Sequence, residues 1–490
     1  DSVRQVAVAV ELPSEVVLGQ VLRSVKNFAA LFIASAFLAT LFFQVGGTVR
    51  GSTELISQKF AGVNEDRLLD YVKPVFFLGV LAEHMTYAFL PQYIQAAAAK
   101  AGIAEAYVTA PFFGFYLAFA AALIPAGHLA RRVGTRPLMY LGLMLAAVGI
   151  GAVTLTDNFW TIAAARFLAG IGQGMLFIGI QSYLLAVAAP QRKTQASAII
   201  VYGFQGGMIS GMAVGSLLVS SMGTNGVFAL SSIIALVAAL YCIAAVPKVV
   251  SDEGTDSDAN LVGGLSQAIR NVQFLNTMLT IGVPAKAVLT GIVTYALPLL
   301  LAKSLYAQED IGQIIMIYAI SVVAASRFIA PYVDRLGSAR EILFFGTLIS
   351  AAGLGLVAYS GLNVEQLTIQ MGDAASTVLL MIGIGLVGIA HGFINAPVVT
   401  FVADSELAQK IGAGTATATY RFVERVGHIM GPVVMGFLFT MFDNDWAALG
   451  FVAAAVAILG FFFFSTANAT PVEEEKPRDM SLKTNPYTGQ

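Results

Sequence analysis

Ionisable side chains are scarce in this sequence, and a few of them fall where water should be scarce too. Glu83 and His84 lie about nine residues inside the apolar segment Lys73 to Gln95. At ~1.5 Å per helical residue that is roughly 14 Å deep, near the midplane of a bilayer. Ionisable groups at that depth face protein or water rather than lipid, and they mark functional sites by default. Some 203 residues later Gly79-Val-Leu-Ala-Glu83 recurs as Gly282-Val-Pro-Ala-Lys286, with the charge reversed. An acid and a base at matching heights predict a Glu83–Lys286 pair that a solute or a proton opens; the plainer alternative is a fixed pair that registers two halves. Glu83 and His84 are also the natural proton carriers, because burial tunes carboxyls and imidazole titrates near neutrality. Adjacent helical residues point about 100° apart, so both cannot face one centre.

A second polar group sits in another apolar segment: Tyr420, Arg421, Glu424, Arg425 and His428. Positions 421, 424, 425 and 428 follow helical spacing and share one face. Such a face inside a membrane needs a polar cavity or a partner. Local pairing of Glu424 with Arg421 and Arg425 is the alternative to substrate recognition.

These residues need elements that hold them in a membrane, and composition says the chain is built of such elements. Of 490 residues, 57% are hydrophobic and 11% are charged, with a mean hydropathy of +0.78. That is the profile of an all-α polytopic membrane protein, with lipids as its surroundings. The net charge of −2 argues against a nucleic-acid partner. The single Cys242 excludes a disulfide framework and reads as a small buried hydrophobe. No phosphate-binding loop, zinc-ligand spacing or nucleophile elbow occurs, so neither an enzyme nor a cofactor or metal site is expected.

In chain order, residues 1–25 read as an extracytoplasmic segment, a short strand and a helix that could be the remnant of a larger domain. Residues 26–46 read as an extra transmembrane helix and 47–72 as a polar cytoplasmic linker. Twelve apolar spans follow, near 74–96, 107–130, 137–156, 159–188, 195–220 and 225–246, then 273–302, 308–332, 340–360, 376–403, 412–440 and 445–468. They group into bundles at 73–248 and 273–468, separated by an acidic linker at 249–272. Residues 469–490 read as a disordered tail. Arg131, Arg132, Arg136, Arg192, Lys193, Lys248, Arg270, Arg335, Arg340 and Lys410 fall in one set of loops, while the opposite set holds little beyond Lys100 and Lys303. The positive-inside rule places the first set, the linker and the tail in the cytoplasm, and residues 1–25 outside.

The two bundles repeat one another. Arg131-Arg-Val-Gly134-Thr aligns with Asp334-Arg-Leu-Gly337-Ser at an offset of 203. Leu168-Ala-Gly-Ile-Gly-Gln173-Gly aligns with Leu386-Val-Gly-Ile-Ala-His391-Gly at 218, and Gly207-x3-Gly211 with Gly427-x3-Gly431 at 220. Parallel six-helix repeats joined by a cytoplasmic linker are a transporter layout. Gly207, Gly211 and Gly215, with Gly427, Gly431, Pro432 and Gly436, read as small-residue seams for close helix packing.

The loop Gly127-His-Leu-Ala-Arg131-Arg132-Val-Gly134-Thr-Arg136-Pro137 resembles motif A of the major facilitator superfamily, and Arg166-Phe-Leu-Ala-Gly170-Ile-Gly172 resembles its motif B. The resemblance covers residues 73 to 468. It implies two pseudo-symmetric six-helix bundles, here with one additional N-terminal transmembrane helix, working by alternating access. It also implies gating loops at Gly127, Arg131, Arg132, Gly134 and Arg136 and at Asp334, Arg335 and Gly337. The family has Asp where this chain has Arg131, so a first latch would need reversed polarity, with Asp404 or Glu406 as candidate partners. The first, fourth, seventh and tenth spans are expected to line the cavity, bringing in Glu83, His84, Arg166, Gln173, Lys286, His391 and Asn395. Over these residues and the eleventh span, four bases (Arg166, Lys286, Arg421, Arg425) outnumber two acids (Glu83, Glu424). That favours a small anionic or zwitterionic organic solute, with protons as the coupling ion, moved across a bacterial inner membrane. A membrane sensor coupled to an external domain, or a lipid and amphiphile transporter, is the alternative.

Overall fold

The computed structural model describes residues 65–187, 193–248, 261–336, 339–366 and 374–467. The expected N-terminal segment and extra helix, Arg192, Gly337 and the tail lie outside these residues. Among the described residues the regular elements are all helices. The helices are α1 (Glu65–His84), α2 (Leu90–Lys100), α3 (Ala110–Val133), α4 (Thr135–Ala152), α5 (Phe159–Val187) and α6 (Lys193–Ala245). After the linker come α7 (Leu261–Arg270) and α8, the run Val272–Lys303. Then follow α9 (Gln308–Leu336), α10 (Ala339–Gln366), α11 (Ala374–Asn395), α12 (Pro397–Ala403), α13 (Glu406–Ile411), α14 (Ala413–Val423), α15 (Arg425–Met441) and α16 (Asp445–Thr466).

Ten described helical runs are long and apolar enough to cross a membrane. The fifth and sixth spans are the two arms of α6, which reverses at Gly223, whose φ of +69° suits a residue without a Cβ. The first span is α1 plus α2 and is not continuous. A run of turns at Met85–Phe89 separates the two helices, with Pro91 at the start of α2. Proline cannot donate to the preceding turn, which favours a helix start there over an unbroken span. The tenth span likewise breaks before Pro397, and the eleventh at Glu424. Span α8 carries two wide π-helical stretches, Met278–Gly282 and Val288–Ala296, on either side of Lys286.

Packing shows where the two bundles meet. One large apolar cluster draws on both: Leu81, Met85, Phe112 and Met212 from the first, Ile292, Leu297, Ile311 and Met435 from the second. At the opposite end the core divides. Leu69, Tyr71, Met139 and Tyr183 form a cluster within the first bundle, and Phe274, Phe401, Leu407 and Tyr420 form another within the second. The bundles are therefore sealed together at the end carrying Lys100 and Lys303. Gln92 Nε2 donates to Pro298 O at 2.5 Å, Ser220 Oγ donates to Glu309 at 2.7 Å, and the rings of Phe112 and Tyr295 meet at 5.2 Å across that seal.

The small-residue seams pack as expected. A Cβ on Gly207, Gly211 or Gly215 would strike the backbone oxygens of Phe77, Leu81 and Met85, so α6 lies directly against the first span. Gly427 and Gly431 lie the same way on Val283 and Ala287 of α8. These contacts also give the register between the halves. Gly207 meets Val80, whereas its counterpart Gly427 meets Lys286. Lys286 is thus equivalent to Val80, three residues below Glu83 and close to one helical turn out of step with it.

Candidate functional site

In the first bundle Glu83 has a partner within its own half. Arg166 Nη2 of α5 donates to Glu83 Oε1 at 2.5 Å, and both side chains are almost wholly shielded from solvent. The guanidinium carbon lies 4.5 Å from the ring centre of Phe115 on α3. Gly170 lets α5 touch the Phe115 backbone just beyond, which holds that ring in place. The contact is one-sided: Glu83 Oε2 and Arg166 Nε and Nη1 are buried without a hydrogen-bond partner. The Glu83–Lys286 pair expected from the repeat does not form. The register explains this, because Lys286 sits a turn away while Arg166 sits within reach.

His84 turns away from Glu83, as the helical geometry requires. Its Nδ1 donates to Val80 O at 2.8 Å, and its ring rests between Tyr87 at 4.4 Å and Phe204 at 5.5 Å. Gln173 Nε2 donates to Gly79 O at 3.1 Å, tying α5 to α1.

The second bundle shares one carboxylate among several cations. Glu424 is buried, with Lys286 Nζ at 3.6 Å and Arg421 Nη1 at 3.4 Å. Lys286 also donates to Asn395 Oδ1 at 2.8 Å, linking α8 to the end of α11. Arg421 is half exposed, whereas the Lys286 side chain is 13% exposed. Tyr420 is buried against Gly282 of α8. His391, the counterpart of Gln173, meets Tyr318 of α9 at 2.6 Å and leaves Nε2 buried without a partner. Equivalent positions in the two halves thus make different bonds.

Arg425 does not pair locally with Glu424. Consecutive helical residues point about 100° apart, and Arg425 reaches into the first bundle. Its guanidinium carbon lies 5.0 Å from the ring centre of Phe119 and 5.1 Å from that of Phe177. His428, whose Nδ1 lies 3.4 Å from Glu424 O, faces Tyr116 of the first bundle with ring centres 6.0 Å apart. Sequence reading missed Phe115, Tyr116, Phe119 and Phe177. The spacing of Phe115 and Phe119, one turn apart in α3, was the available signal, but phenylalanine in a membrane span reads first as lipid-facing or core.

In the first of the loops expected to gate, Gly134 joins α3 to α4 with a φ of +90°, which a residue with a side chain rarely adopts. Arg136 donates to Ile243 O, tying the loop to the sixth span. Arg132 is exposed, and so are Asp404 and Glu406 of the second bundle. The side chains of Asp334 and Arg335 lie outside the described residues, as does Gly337.

The sequence matches the Major Facilitator Superfamily over residues 74–306 and 286–487. It is 23% identical to the inner membrane transport protein YajR of Escherichia coli, over 78% of this chain and 80% of that protein. A shorter stretch is 28% identical to probable anion transporter 6 of Oryza sativa, over 24% of this chain and 28% of that protein. Among solved structures, the nucleoside transporter NupG matches with a TM-score of 0.62 at 16% identity, covering 81% of this chain and 98% of NupG. The human organic anion transporter MFSD10 matches with a TM-score of 0.56 at 17% identity, covering 82% of this chain and 100% of MFSD10. The structural likenesses are likenesses of fold.

Proposed function

This chain belongs to the major facilitator superfamily, and on that premise we propose that it is a proton-coupled secondary transporter of a small organic anion. The observation that carries the reading is the charge of the second bundle. Lys286 and Arg421 share the carboxylate of Glu424, and Arg425 adds a third positive charge to the cluster. An anionic group entering there meets uncompensated positive charge in surroundings where water screens poorly. The separation of the bundle cores at one end, against their shared core at the other, supports an access path from one side. The basic loops around Arg131, Arg270 and Arg340 are at the divided end, so the positive-inside rule makes it the cytoplasmic one.

Protons act on the first bundle. Glu83 contacts Arg166 through one oxygen and keeps the other unpartnered, which is where a proton is accepted. Protonation removes the charge that Arg166 answers and loosens α1 from α5. A buried ion pair broken on one side is strongly destabilised, so the bundle rearranges rather than tolerate it. The conformational change and the proton are thereby linked through one pair.

The test is uptake into proteoliposomes with an imposed pH gradient, using a panel of radiolabelled organic anions and uncharged solutes. A proton gradient should drive accumulation of an anion above its equilibrium level, and Glu83→Gln should abolish the gradient dependence. Gradient-independent flux in wild type, or unchanged coupling in Glu83→Gln, would sink the proton reading. Uptake confined to uncharged solutes would sink the anion reading.

A further inference from the structure

Resting on the anion reading, we propose that the substrate is an aromatic carboxylate whose ring lies against the paired rings of Phe119 and Phe177 and whose anionic group pairs with Arg425. The Arg425 guanidinium lies against those rings now. Three observations meet at this point.

The two rings touch each other and together present one aromatic surface. The ring centres of Phe119 and Phe177 are 5.9 Å apart with planes inclined at 55°, and the Arg425 carbon lies about equally far from each. A guanidinium and an aromatic ring are both flat and stack on aromatic faces, so one can replace the other. Aliphatic groups of the same area lack the face.

Arg425 is also the cation with least compensation in its own half. Its Nε is buried without a hydrogen-bond partner. Glu424, the acid nearest in sequence, already serves Lys286 and Arg421. A guanidinium offers a fixed fork of donors matched to a carboxylate. A ligand carboxylate therefore satisfies it better than the two rings do.

The apolar wall is on one bundle and the charge is on the other. Phe119 and Phe177 belong to α3 and α5, Tyr116 adds a further ring beside His428, and Phe76 lies 6.3 Å from Phe177. Arg425 and Lys286 face them from α15 and α8. A ligand with an aromatic body and an anionic end contacts both bundles at once. An inorganic anion or a short aliphatic acid answers the charge and leaves the rings unused.

The decisive measurement is calorimetric titration of the purified full-length protein with benzoate, 2-naphthoate, cyclohexanecarboxylate, acetate and uncharged 2-naphthol. We expect benzoate to bind at least tenfold more tightly than cyclohexanecarboxylate, which matches it in size, and 2-naphthoate to bind as well or better. Phe119→Leu and Phe177→Leu should bring the benzoate-to-cyclohexanecarboxylate ratio towards one, and Arg425→Ala should remove the advantage of 2-naphthoate over 2-naphthol. Equal binding of benzoate and cyclohexanecarboxylate overturns the aromatic proposal while leaving the anion reading standing. No binding by any carboxylate, or 2-naphthol binding as tightly as 2-naphthoate, overturns both. The wild-type ratio decides the question even where a variant does not fold.

Discussion

The two bundles repeat one backbone plan and use it for opposite electrostatic ends. In the first, Glu83 and Arg166 cancel each other in a buried pair stacked on Phe115. In the second, two cations, Lys286 and Arg421, share Glu424, and a third, Arg425, meets aromatic rings of the other bundle. A balanced pair suits a group that switches on one proton, because a single charge change upsets it. An unbalanced cluster suits a group that waits for an external anion. Pseudo-symmetry therefore places the parts, and the proposed division between coupling and recognition rests on the departures from symmetry.

The sharpest break in this comparison comes from removing one partner of the balanced pair. Arg166→Ala leaves the Glu83 charge buried and unanswered, and should cost about 3–5 kcal/mol of stability, read as a large fall in melting temperature. The double variant Glu83→Gln/Arg166→Gln should recover much of it while losing proton coupling. If Arg166→Ala melts like wild type, the pair is not the isolated element described above.

In the second bundle the larger effect should be on function. Lys286→Ala should reduce uptake at least tenfold, whereas Lys303→Ala, at the sealed end beside Asp445, should stay within about twofold, since exposed pairs contribute only ~0–1 kcal/mol. Equal losses would remove the distinction between the central cluster and the end.

Packing offers an intermediate test. Gly215→Ala places a methyl group on the Met85 backbone oxygen and should destabilise by about 1–3 kcal/mol through overpacking. Gly263→Ala, where nothing lies within reach of a Cβ, should not. Similar melting temperatures for the two would mean that the seam between α6 and the first span yields.

The smallest effect should come from the sealed rim of the first bundle. Lys100 donates to Asp157 at 2.8 Å on the surface, and holds that carboxyl below the usual carboxylate range through this bond and its charge. A depressed carboxyl contributes stability at neutral pH that is lost as the pH falls through its folded-state value. Screening at the surface makes that contribution slight, so Lys100→Ala should leave the melting temperature nearly unchanged at pH 7 and at pH 4. A clear drop at pH 7 would assign the rim a part in holding the bundles shut.

The membrane class, the spans described here and the polar residues were legible because each follows from local chemistry: apolar runs of bilayer length, loop charge and glycine spacing. The Gly207 and Gly427 seams were legible for the same reason, since a missing side chain permits close approach wherever the helices meet. The identity of Glu83's partner was not. Alignment by sequence put Lys286 opposite Glu83, but the glycine contacts shift that span by three residues, and the π-helical stretches on both sides of Lys286 bend the simple periodicity on which such an alignment depends. The face expected for Arg421, Glu424, Arg425 and His428 divides in the structure: Arg421 and Glu424 meet each other, whereas Arg425 and His428 meet rings of the other bundle.

By itself, then, the chain determined which runs are apolar enough to cross a membrane and that its two repeats differ in charge, since hydropathy and repeat are written in consecutive residues. Only tertiary structure decided that Arg166 answers Glu83, that Lys286 and Arg421 gather on Glu424, and that Arg425 crosses to Phe119 and Phe177. Those contacts depend on the rotation and rise of one helix against another, and a shift of a single turn is enough to exchange a charged partner for an aromatic one.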